Sequence, residues 1–92
     1  MRYYSAPSFE RTLNSLDPSR KDRIKKAIQL AVAFFETGKL PSGLGLKLLR
    51  HELWEIRAGL PDRVIFRKVK DTVEFLLVGS HDEIRRFLKR HS

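Results

Sequence analysis

Two short stretches of this 92-residue chain alternate charged with apolar residues, at a spacing that would line up several charges. In Leu53-Trp54-Glu55-Ile56-Arg57-Ala58, Trp54, Ile56 and Ala58 fall on one side of an extended chain, and Leu53, Glu55 and Arg57 on the other. In residues 63–69, Val64 and Phe66 share one face, and Arg63, Ile65 and Arg67 the other. Two such strands side by side would present Glu55, Arg57, Arg63 and Arg67 together. Arginines on a sheet face can grip a phosphate through two parallel N–H bonds, and a carboxylate among them can act as a base. The same pattern also describes a solvated strand face with cross-strand Glu–Arg pairs.

A second group follows at Ser80-His81-Asp82-Glu83. The Ser-x-x-Glu spacing is that of a capping box, in which serine and glutamate each satisfy a free N–H at a helix start. It places His81 in the first turn, where backbone N–H groups can also receive a phosphate. Histidine is the side chain best suited to exchange a proton near neutral pH. An exposed surface histidine beside an ordinary cap would look the same.

Other chemistries lack their residues. His51, His81 and His91 show no metal-ligand spacing and there is no cysteine, so neither a metal nor another cofactor is expected. A phosphate-binding glycine loop of the Walker type, a dinucleotide fingerprint and an acyl-transfer nucleophile motif are all missing. Trp54 reads as core.

The elements that must carry these residues can be read from periodicity. Arg2 to Ala6 suits a short strand, broken by Pro7. Ser8 suits a cap for a helix from Phe9 to about Leu16. Asp17-Pro18 restarts a helix that Ile24, Ala27, Ile28, Ala31, Phe34 and Phe35 extend to about Thr37, with Gly38 as its stop. Residues 40–45 form a loop, 59–62 a turn, and Lys70-Asp71 a tight turn. Thr72 to Gly79 is nearly continuous apolar sequence, as in a central strand covered on both faces. A last helix runs from Ser80 to about Arg90. The expected class is α+β, in the order β-α-α-β-β-β-α. Its helices, the N-terminal hairpin among them, pack on one face of a mainly antiparallel sheet, in one domain over residues 1–92.

The chain carries 19 Lys and Arg against 11 Asp and Glu, a net charge of +8. Residues 1–45 and 46–92 each contribute +4, so the charge is no basic tail. A surface of this sign suits a polyanion, nucleic acid above all, although an acidic protein partner would serve. The apolar runs are too short to span a bilayer and the N-terminus has no signal-peptide core, so the expected location is the cytoplasm, away from membranes.

Taken together, Lys47-x-Leu49, Leu53-Trp54-Glu55-Ile56-Arg57, Asp62-Arg63-Val64-Ile65-Phe66 and Val78-Gly79-Ser80-His81-Asp82-Glu83 resemble the RelE/ParE/HigB superfamily of bacterial toxins. The likeness extends over nearly the whole chain. It implies a RelE-like fold and a toxin of a type II toxin–antitoxin system. The implied activity is that of an mRNA interferase, an endoribonuclease that inhibits translation by cutting mRNA at the ribosome. The ribose 2′-OH attacks the adjacent phosphate without metal, leaving a 2′,3′-cyclic phosphate and a 5′-OH. On that resemblance Arg63 is the phosphate clamp, Arg57 a second cation, Glu55 a candidate base and His81 the general acid or base. Lys47, Arg50, Arg67, Arg85 and Phe87 are expected to bind the RNA. The chain departs from some members in lacking a lysine pair, and in having Phe87 where a late tyrosine occurs; phenylalanine can stack but cannot transfer a proton. The implied partners are mRNA, the ribosome and a cognate acidic antitoxin. Two alternatives stay open: a ParE-like inhibitor of DNA gyrase without nuclease activity, and a non-catalytic basic binding module.

Overall fold

The computed structural model describes residues 1–59 and 61–90. Its elements are β1 (Arg2–Ser5), α1 (Pro7–Asn14), α2 (Pro18–Thr37), β2 (Gly45–Arg50), β3 (Leu53–Ala58), β4 (Asp62–Val69), β5 (Thr72–Gly79) and α3 (His81–Arg90). They form a five-stranded sheet in the order β1-β5-β4-β3-β2. The pairs β2–β3, β3–β4 and β4–β5 are antiparallel, and β1 runs parallel to β5.

Helix α2 forms where the sequence marks it. The Asp17 side chain accepts a hydrogen bond from the Arg20 N–H at 2.9 Å, Pro18 opens the first turn, and Gly38 closes the helix in the left-handed region at φ 75°. Ile24, Ala27 and Ala31 are buried at helical spacing. Beneath α2, Phe66 is fully buried at the centre of an aromatic group. Its ring centroid lies 5.4 Å from Phe35, 6.4 Å from Trp54 and 6.2 Å from Phe75, and Phe75 lies 5.7 Å from Phe9. Trp54 and Phe66 lie on the face opposite the charged one, as the alternation predicts.

Three expectations need correction. Residues 45–50 are a strand, so four antiparallel strands follow the helical hairpin instead of three. Pairing with β3 holds β2 at the sheet edge, with an irregularity between Leu48 and Arg50 that breaks any simple alternation. Next, the helices do not share one face. Phe35 of α2 packs on Phe66, whereas Phe87 of α3 borders a groove with Leu53, Arg67 and Leu76, on the opposite side of the sheet. Ile65, fully buried, and Ile84, 2% exposed, give this second side a small apolar layer of its own. Third, Ser8 is not a helix cap. Ala6 occupies the cap position of α1, and the Ser8 hydroxyl donates to the Leu76 carbonyl at 2.5 Å. Thr12, one turn on, accepts from the Val78 N–H at 3.0 Å. Where β1 ends, α1 therefore satisfies the exposed edge of β5 with two side chains.

Candidate phosphate-binding site

The register of the sheet assembles the charged face. Across four strands, Gly45, Arg57, Arg63 and Gly79 stand opposite one another in a single row. Like charges directly opposite are unfavourable. The carboxylate of Glu55, diagonal to Arg63, offsets one of them, with Oε1 3.1 Å from the Arg63 Nε. Both side chains are largely buried, at 14% and 10% exposure. The contact lacks hydrogen-bond alignment, so the buried Arg63 Nε has no hydrogen-bond acceptor. Arg57 is exposed. The row therefore holds two guanidinium groups, one carboxylate and an unsatisfied donor, a composition that favours an anion.

The glycines that flank the arginines make room. A Cβ on Gly45 would come within 3.0 Å of the Arg57 Cβ, and one on Gly79 within 3.0 Å of the Glu83 Cβ. Beside Arg57 lies a shallow groove of about 400 Å³ walled by Gly43, Gly45 and Gly59. Gly79 lets the first turn of α3 lie close against the end of β5. That turn is fixed by the predicted capping box: the Ser80 N–H donates to Glu83 Oε1 at 2.9 Å, and the Glu83 N–H to Ser80 Oγ at 3.2 Å. Hydrogen bonding to the Ser80 backbone N–H first, and then to the Ser80 side chain, holds the Glu83 carboxyl below the usual carboxylate range. His81 is exposed, two residues beyond Gly79 in the row.

The start of β4 is anchored from the other side. Asp62, fully buried, receives Arg20 in a two-bond grip: Nε to Oδ2 at 3.0 Å and Nη2 to Oδ1 at 2.5 Å. Hydrogen bonding to Asp62 raises the Arg20 pKa, and Glu83 acts on the same guanidinium. Arg20 thus ties α2 to the residue before Arg63. The sequence reading missed this clamp, because residues 20 and 62 meet only through the fold.

The other expected residues separate. Glu55 is buried and paired, not open to solvent as a free base would be. Lys47 is exposed on β2 opposite Glu55. Arg50 donates to the Leu88 carbonyl and so helps close the end of α3. Arg67 pairs with Glu74 at 3.3 Å, at the other end of the face from Gly79. Arg85 is exposed on α3, and Phe87 is half-buried between two grooves. No group of three or more His, Asp or Glu that could hold a metal ion occurs among the described residues, and His91 lies outside them.

The fold is that of the RelE-type toxins. Over 91% of this chain and 96% of the other, it is similar to a chain of the RelB–RelE antitoxin–toxin complex from Methanococcus jannaschii, with a TM-score of 0.70 at 22% identity. YafQ from E. coli matches with a TM-score of 0.74 at 13% identity, covering 91% of this chain and 98% of that one. The intact E. coli RelBE toxin–antitoxin complex matches with a TM-score of 0.63 at 14% identity, over 86% and 94%. No protein-family model matches the sequence, and no curated protein sequence matches it.

Proposed function

We propose that this chain is the toxin of a type II toxin–antitoxin pair and that it cleaves mRNA without a metal. The observation that carries the reading is the row Gly45–Arg57–Arg63–Gly79, which ends two residues before His81. Arg63 would hold the scissile phosphate. Its Nη groups lie beyond an Nε already turned toward Glu55, so Glu55 orients the clamp and His81 is the proton carrier. Arg57 would supply the second positive charge as the phosphate becomes a phosphorane.

In the proposed reaction a base removes the proton of a ribose 2′-OH. The 2′-oxygen attacks the adjacent phosphorus, and the P–O5′ bond breaks. The leaving 5′-oxygen takes up a proton. The products are a 2′,3′-cyclic phosphate and a 5′-OH, with no net water consumed. Exposed cations around the corner, Lys47 and Arg85 among them, would hold the flanking strand, and an acidic antitoxin would be drawn to the same charge. The type II assignment is supported by the fold match to RelE and YafQ.

Primer extension on mRNA from cells expressing the chain tests the reading. Cleavage in step with codons is the expected outcome, abolished in Arg63→Ala and His81→Ala. Uncut mRNA together with blocked gyrase supercoiling would favour gyrase inhibition instead; neither activity would leave a binding module.

A further inference from the structure

A separate cationic groove lies between α1 and α3, about 390 Å³ in volume. Its walls carry Arg11, Arg86 and Arg90, and its floor is Leu77 and Phe87. The cations elsewhere on the molecule that come close to acids are engaged: Arg20 with Asp62, Arg63 with Glu55, Arg67 with Glu74 and Lys26 with Asp22. No such ion pair or side-chain hydrogen bond engages the guanidinium groups of Arg11, Arg86 or Arg90 among the described residues. The one acid in the groove, Glu83, accepts the Ser80 N–H, and its charge also acts on Arg86 without forming an ion pair with it.

We infer that this groove is a second binding site for single-stranded RNA, distinct from the proposed cleavage corner. On a helix Arg86 is about 140° and Arg90 about 180° round from His81, so the groove lies on the other flank of α3. Three exposed guanidinium forks beside a half-buried phenylalanine match a nucleotide chain: phosphates to the arginines, a base against the ring. A peptide finds less to hold. The Ser8 and Thr12 hydroxyls on the wall are bonded to the β5 backbone, and α1 already covers that edge. No strand can be added there, and two apolar floor residues are too few for an amphipathic helix. The inference rests on RNA being the substrate. The groove would add affinity and hold the strand in place without taking part in the chemistry.

The test uses the full chain and a short oligoribonucleotide with 2′-O-methyl riboses, which cannot be cut. Salt dependence of its binding is compared between the wild type, the triple variant Arg11→Gln/Arg86→Gln/Arg90→Gln, and a control of equal charge change, Lys25→Gln/Lys39→Gln/Lys70→Gln. Each phosphate contact on a single strand contributes about 0.7 to the slope of log affinity against log salt, so losing three lowers it by about 2. The groove variant should also bind about tenfold more weakly at low salt, while the control stays near the wild type. With cleavable RNA, the groove variant should raise KM and keep kcat. Equal effects in groove and control variants overturn the proposal, as does loss of poly-glutamate binding with RNA binding intact. Wild-type protein that binds the methylated strand through the groove but cuts no RNA would sink the nuclease reading alone.

Discussion

The two faces of the sheet are built for different ends. Under α2, Phe66, Phe75, Trp54 and Phe35 fill the space with rings, and the partners of Phe66 are all apolar. Under α3, the apolar layer is thin, and the same strands present Glu55, Arg57, Arg63 and Arg67. Because side chains alternate along a strand, each of β3 and β4 serves both faces at once. Stability can be concentrated on one side, while unfavourable like-charge pairs are tolerated on the other. Substitutions on the two faces should therefore separate folding from activity.

The largest effect on folding is expected at Phe66. Phe66→Ala should lower the unfolding free energy by about 3–5 kcal/mol, read by urea denaturation. If the loss is under about 1 kcal/mol, the core is not centred there. On the other face, Arg63→Ala should cut RNA cleavage by about 10²–10³-fold, at some cost in stability because it leaves the buried Glu55 carboxylate without its partner. Arg57→Ala, at an exposed residue, should weaken cleavage with a melting temperature close to the wild type. Should Arg57→Ala unfold the protein as Phe66→Ala does, the division between the faces fails. Glu55→Gln should retain part of the activity, because an amide oxygen can still face the Arg63 Nε, whereas Glu55→Ala should lose more. Equal activity in the two variants would remove the orienting role from Glu55.

Smaller effects sharpen the picture at helix ends and edges. Ser80→Ala removes one half of the capping box and should cost about 1 kcal/mol. The Glu83 carboxyl is lowered from its ordinary value of 4.5. Its contribution to stability is thus fully present above that value and fades as pH falls through the lower folded-state value. Acid melts of Glu83→Gln should lack this component. The smallest effect is spectroscopic. Burial, with the 2.6 Å hydrogen bond to Glu36, pushes the Tyr3 phenol up to about 12. In a Tyr4→Phe background, absorbance should show tyrosine ionising near that pH; ionisation near 10 would mean that the contact between β1 and α2 is absent.

Much of this was legible from residue types. The caps at Asp17 and Gly38, the capping box at Ser80 and Glu83, and the two-residue period of β3 and β4 are local signals, and local physics decides them. Strand β2 was not legible. Leu46-Lys47-Leu48-Leu49-Arg50 loses its alternation at the irregularity, and pairing with β3 supplies what propensity does not. The side on which α3 packs was also hidden, since its apolar residues show that it packs but not against which face. In the candidate site, sequence identified Arg57, Arg63 and His81 as residues of interest. That Glu55 is diagonal to Arg63 depends on the register between β3 and β4, and a single-residue slip would have sent the carboxylate elsewhere. The groove at Arg11 had no local signal at all, because its two walls are separated by most of the chain.

The most direct test of the cleavage corner is to incubate purified protein with mRNA, free and on ribosomes, and to analyse the new ends. The account predicts 2′,3′-cyclic phosphate and 5′-OH termini, unaffected by chelators, and absent with folded Arg63→Ala or His81→Ala. Unchanged cutting by both variants, with the same termini, would contradict it.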